Sequence, residues 1–247
     1  MTEETEKYVY GVVLLDTPLP KTKGIGGRKL GLVRGEDTAA IVSDVTPPVK
    51  TGKDELTTHA RVLQRALEGG PVLPMQFGIV IPEEQLVREQ LLDPFGEELV
   101  AQLHDLAGKV ELHLRAVFEE EALMSEVVKA NGKVLALSEA LRDKPPDATY
   151  YDRIELGQEV AQTAETLILE ERERILDVLT PLSAGARVNE AGHERVACNA
   201  AFLVEEEKLG EFDEVVNALG EANQDRLQFS YTGPHPAYNF VDLPLQV

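Results

Sequence analysis

The chain has no tryptophan, one cysteine, and only 5% aromatic residues over 247 positions. A single cysteine, Cys198, excludes an internal disulfide and fits a reducing compartment. Positive charge is also scarce: 24 Lys and Arg stand against 44 Asp and Glu, a formal net charge of −20. Such a surface repels phosphate backbones and anionic headgroups at long range, which argues against nucleic acid and against a membrane as partners. Long hydrophobic runs are missing. The longest, YVYGVVLL from Tyr8 to Leu15, falls far short of the roughly 20 residues a membrane helix needs. The first residues, MTEETEK, are acidic, unlike a signal or transit peptide. These absences predict a soluble cytoplasmic protein.

Catalytic signatures are absent too. GIGGRKLG, residues 24–31, has the glycines of a phosphate loop, but Leu30 follows Lys29 where Ser or Thr is required. The element that follows is a strand, so no helix N-terminus faces a phosphate. His59, His104, His113, His193 and His235 never stand three or four residues apart, so sequence supports no zinc site. There is no GxSxG elbow, and the carboxylates are too many to single out an acid–base pair. Cys198 lies in ERVACNAAFLV, where alternation with Val196, Ala200 and Phe202 makes it a small buried hydrophobe. The expected catalytic, cofactor-binding and metal sites are therefore none.

What is present is a patterned α+β chain, with 43% apolar residues and no long charge blocks. Tyr8–Leu15 is apolar on both faces, as in a covered central strand. A glycine–proline loop leads into two strands joined at Arg34-Gly35-Glu36-Asp37. A helix follows, capped by Asp54 or Thr57 and running to about Glu68. The next strand, PVLPMQFG, contains Pro71 and Pro74; prolines belong at strand starts, edges or bulges, so its path is bent. Two helical pieces, 83–92 and 95–107, precede KVELHLRAVF. There Val110, Leu112, Leu114 and Ala116 face one way, and Glu111, His113 and Arg115 form a solvated or helix-covered polar row.

Residues 119–141 are helical with an interruption at Asn131-Gly132, and RDKPPDATYY breaks the chain. One long helix over 152–182 then carries a narrow stripe including Ile154, Ala161, Ala164, Ile168 and Ile175. The stripe predicts packing on helix 119–141 of the same chain, with an intermolecular coiled coil as the alternative. A hairpin, a helix over 205–223 and a strand over 226–232 close a β-α-β-β-α-β order, the ferredoxin-like plan. The first unit has that order with its first helix replaced by the glycine loop. The expected organisation is an N-terminal α+β unit at 1–82 and a helical connector at 83–107. A ferredoxin-like unit with the long, coiled-coil-like helix follows at 108–233, and then an irregular proline-rich tail at 234–247.

Four segments in order, YVYGVV, GIGGRKLGLVRGEDTAAIVSDV, HARVLQRALEGGPVLPMQFGIVI and YTGPHPAYNFV, resemble the gas vesicle protein F/L family from Tyr8 to Val241. The most specific motif residues are Leu73, Pro74, Phe77 and Gly78, with Gly233, Pro234, Tyr238 and Phe240 near the C-terminus. The family places a proline before the tyrosine; here Ala237 stands there. The resemblance implies two modified ferredoxin-like units and a non-enzymatic accessory role in gas vesicle assembly, in the cytoplasm and associated with the vesicles. The implied partners are the hydrophobic shell subunit, gas vesicle protein A, and other accessory proteins, and the motif residues become fold determinants. A small-molecule-binding regulator built on paired ferredoxin-like units is the alternative, distinguished by thermal shift with metabolites. Two segments are candidate interfaces: the bent strand with its flanking helix, and the stripe of helix 152–182.

Overall fold

In the computed structural model, residues 5–142, 144–145 and 149–243 are described. Part of the RDKPPDATYY breaker and the last four positions of the expected tail lie outside them. By its internal contacts the chain forms two units. One comprises Met1–Glu111, Glu205–Glu207 and Gly233–Val247, and the other Leu112–Val204 and Lys208–Thr232.

The first unit is built on β1 (Glu6–Leu14), β2 (Leu30–Arg34), β3 (Thr38–Val45), α1 (Lys53–Leu67), β4 (Val72–Pro74) and β5 (Val80–Ile81). Its sheet runs β2-β3-β1-β4, with β5 also paired to β1. β1 is central, and its residues Tyr8 to Val13 are buried. α1 buries His59, Val62, Leu63 and Ala66 in the core that these strands form. The helix begins at Gly52 with no side-chain cap. Thr57 lies inside it, donating from its hydroxyl to the Lys53 carbonyl, and so cannot cap as the sequence suggested. α2 (Glu84–Val87) continues through a π turn, Arg88–Leu92, and α3 (Gly96–Asp105) follows.

Gly11 shows why YVYGVV tolerates a glycine in a covered strand. A Cβ there would lie 2.7 Å from the Leu73 carbonyl oxygen and 2.8 Å from Leu63 Cδ2. The missing side chain lets β4 and α1 close on β1. Gly11→Ala should therefore cost about 2 kcal/mol through overpacking. A lower urea midpoint at unchanged slope would show it; an unchanged midpoint would mean that the contact relaxes freely.

The second unit contains β6 (Lys109–Phe118, beginning in the first unit), α4 (Glu120–Ala130), α5 (Gly132–Leu141), α6 (Tyr150–Leu179), β7 (Gly185–Val188), β8 (Val196–Glu205), α7 (Leu209–Ala222) and β9 (Leu227–His235). Its sheet order, β7-β8-β6-β9, repeats that of the first sheet when strands are counted from the start of each unit. Both are ferredoxin-like orders. In the first unit a loop replaces the first helix; in the second, α4 to α6 occupy its place.

As the stripe predicts, α6 packs on α4 and α5. The Asn131 interruption is a capped junction: its side-chain oxygen accepts from the Lys133 and Val134 amides, and its Nδ2 donates to Thr163 Oγ1 at 2.9 Å. Cys198 is buried in the core with Ala200 and Phe202, and burial pushes its thiol up to about 11.

Candidate functional site

The bent strand becomes intelligible from its register. Pro74 pairs with Gly11 and Val80 with Tyr8, so β1 advances three positions while the edge chain advances six. The excess is an excursion around Phe77 and Gly78, held at its ends by Met75 N–H to the Tyr10 carbonyl and Val9 N–H to the Ile79 carbonyl. Pro74 sits on the sheet edge, where a missing donor is tolerated. Gly78 has a φ of 98°, open to glycine, and donates its N–H to Tyr8 Oη at 3.0 Å. Phe77 packs edge-on against Tyr8 and His59. Leu73 and Met75 are fully buried, Phe77 is half-buried, and Gln76 and Gly78 at the tip of the excursion are exposed.

His59 sits beneath this excursion. Its Nε2 lies 3.1 Å from the Met75 carbonyl oxygen, and its Nδ1 2.9 Å from Tyr8 Oη. A carbonyl only accepts, so Nε2 carries the proton and Nδ1 accepts from the tyrosine. Burial lowers the imidazole pKa to about 4. At neutral pH His59 is uncharged with both nitrogens occupied, so it has no free lone pair for general-base work. Next to it, Tyr10 Oη accepts the Ile25 N–H at 2.7 Å and meets Ser43 Oγ at 2.9 Å, fixing the glycine loop.

The C-terminal motif residues lie on β9 and the tail beyond it: Gly233 and Pro234 on the strand, Tyr238 and Phe240 after it. Pro236, Ala237 and Leu243 are buried. Asn239 anchors this segment, donating its backbone N–H and its Nδ2 to the Glu111 carboxylate at 2.7 and 2.8 Å. The polar row expected on β6 is thus corrected. Glu111 is wholly buried, because the tail supplies donors, while His113 is half-buried and Arg115 exposed.

In the second unit a groove of about 770 Å³ runs along α6, floored by Val160, Ala161, Ala164 and Ile168 and walled by Leu123 and Met124 of α4. His193 to Arg195 close one side. Arg172 donates to the Ala197 carbonyl and Arg195 to the Phe118 carbonyl, which positions both guanidiniums at this wall. Nearby, Glu171 is 4% exposed and satisfied by Arg174 and Arg226 at 2.8 and 3.0 Å. A hollow of about 880 Å³ in the first unit is lined by five carboxylates, Glu36, Asp37, Asp93, Glu97 and Glu98, together with Leu92, Pro94 and Phe95.

The family described as gas vesicle synthesis protein GvpL/GvpF matches residues 6–242. The chain belongs to this family. A GvpL/GvpF relative, gas vesicle protein F of Streptomyces sp. (strain CB03234), is 33% identical over 95% of this chain and 99% of its own. The crystal structure of gas vesicle protein GvpF from Anabaena sp. PCC7120 superposes with a TM-score of 0.84 at 21% identity, covering 97% of this chain and 99% of that one. GvpF from Microcystis aeruginosa gives 0.80 at 22%, covering 96% and 99%. These two share the fold. In this GvpL/GvpF chain the motif residues Phe77 and Gly78 contact the Tyr8–His59 pair while Leu73 lies buried on β4 opposite Val12, and no helix among the described residues is long and apolar enough to cross a membrane.

Proposed function

We propose that this GvpL/GvpF member serves gas vesicle assembly by binding the hydrophobic shell subunit, gas vesicle protein A, without catalysing a reaction, and that the α4–α6 groove is the contact. The carrying observation is that groove: an apolar floor open to solvent on a chain of net charge −20. A shell subunit with a large apolar face aggregates until assembled, and a charged partner covering that face keeps it dispersed. Of the two segments the sequence offered, the bent strand buries Val72 to Met75, whereas the stripe of α6 floors an open groove, which favours the stripe. The motif residues act as fold determinants in this reading, and other accessory proteins would meet the complex at surfaces outside the groove.

The test mixes the full chain with monomer-competent shell subunits and follows light scattering and co-purification. Wild type should suppress aggregation. Ala161→Glu, at an exposed position on α6, should keep the same melt and lose at least tenfold in affinity, because a carboxylate is desolvated in an apolar contact. Raising salt should slow association more than it weakens the complex. Absence of both complex and protection with wild type would refute the shell-binding reading.

A further inference from the structure

We propose that the hollow of the first unit binds an extended cation: ammonium groups carried on an alkyl chain, as in a linear polyamine or in neighbouring lysine side chains of a protein segment. The site shares no residue with the α4–α6 groove, and the proposal does not rest on shell binding.

Two segments form the hollow. Glu36 and Asp37 come from the β2–β3 turn, while Asp93, Glu97 and Glu98 come from the end of the π turn and the start of α3. Gly35 lets the two meet: a Cβ there would lie 3.1 Å from Leu92 Cβ and 3.3 Å from the Thr38 carbonyl oxygen, so a bare backbone closes on the π turn. No Lys, Arg or His lines the concavity. None of the five carboxylates holds an ion pair among the described residues. Glu97 and Glu98, in the first turn of α3, complement the helix dipole. That account does not extend to Glu36, Asp37 and Asp93. Like charges gathered in a cleft focus a field into it and concentrate counter-ions there.

Thr38 is an independent sign of a ligand. Along β3, Ala39, Ile41 and Val45 pack in the core with α1, so Thr38 points to the opposite face, toward residues 92–98. It is 1% exposed, and its hydroxyl has no hydrogen-bond partner among the described residues. No sealed side-chain oxygen among those residues lacks a partner, so this hydroxyl opens on the hollow. Set among carboxylates, it offers one more acceptor to an ammonium group.

The kind of cation follows from the spread of the charges. No three acidic or histidine side chains among the described residues converge as a metal ion needs, so a compact divalent ion would meet too few oxygens. Charges spaced along a chain can meet the carboxylates one by one. Leu92, Pro94 and half-buried Phe95 also line the hollow, where they can take up methylene groups and offer a ring face to a cation.

Isothermal titration of the full chain at constant ionic strength tests this. Spermidine should bind one to one, butylamine far more weakly, and Mg²⁺ at equal charge no better than butylamine. A Lys-Ala-Ala-Lys peptide runs beside spermidine: whichever binds tighter names the source of the chain, a protein segment or a free polyamine. Glu36→Gln/Asp93→Asn relieves repulsion, so it should melt no lower than wild type. It should nevertheless bind spermidine about fivefold more weakly, the worth of two exposed charge pairs. Thr38→Val keeps the shape and should cost about threefold. Glu214→Gln/Glu221→Gln removes the same charge at exposed positions on α7 and should bind as wild type does. Spermidine binding without saturation, or equal weakening in the Glu214/Glu221 control, shows that overall charge alone attracts it and overturns the site. So do wild-type affinity in both hollow variants, and Mg²⁺ binding as tight as that of spermidine.

Discussion

Replacing Glu111 with alanine is expected to lower the melting temperature by roughly 6–12 °C, the counterpart of about 3 kcal/mol in a chain of this size. The carboxylate is wholly buried and accepts two hydrogen bonds from Asn239. Removing it leaves two half-buried donors without this acceptor and a cavity where the wholly buried carboxylate stood, and an unmet donor costs more than a hydrogen bond gains. Glu111→Gln should lie between, since an amide presents a single oxygen and turns its own N–H₂ toward a donor. Deleting residues 234–247 removes the other side of the same contact, together with buried Ala237 and Leu243, and should lower the melt by a similar amount. The two changes combined should fall short of their sum, because they break one interaction. A Glu111→Ala protein that melts with wild type would show that the clamp contributes nothing.

The second large effect is on pH dependence. His59 has a folded pKa near 4 against an ordinary 6.5, because burial disfavours the cation. The unfolded chain takes up this proton first, so folding stability from His59 is full above about pH 6.5 and is lost as pH falls toward 4. The complete loss is about 3 kcal/mol, of which about 2 kcal/mol falls between pH 6.5 and 5. Comparing wild type with a variant that lacks only this imidazole separates the histidine from every other titrating group. Urea unfolding of wild type and His59→Gln at half-unit steps should show the wild type losing stability more steeply there. Parallel curves would mean that His59 titrates normally in the folded protein.

Much of the architecture was legible because its signals are local. An apolar run covered on both faces marked β1, the Arg34–Asp37 turn marked the hairpin, and the three-and-four spacing marked α6 and its packing on α4 and α5. The ferredoxin-like order of both units followed from the succession of elements. Pro71 and Pro74 announced a bent edge strand, but not that its excursion would bring the Gly78 amide onto Tyr8, since a register jump leaves no periodic trace. Glu111 was misread because alternation assigns a face and says nothing of what covers it. Its partner lies 128 residues away. Glu171 did leave a signal: it occupies a seam position between Ile168 and Ile175, where an apolar residue is due and a buried cation can be anticipated. Gly157 could be seen as helical, but that no neighbour requires it needed the coordinates.

The first unit takes its residues from both sides of the second: Met1–Glu111 come before it, and Gly233 onward after it. On a ribosome, β1 to β5 emerge early, yet Asn239, the partner of buried Glu111, is translated only after the whole of Leu112–Thr232. Domains made as one contiguous stretch can fold as units during synthesis. Here the inserted unit can do so, while the unit synthesised first waits with its carboxylate unclamped. The nascent chain therefore finishes folding in the reverse of the order in which it began.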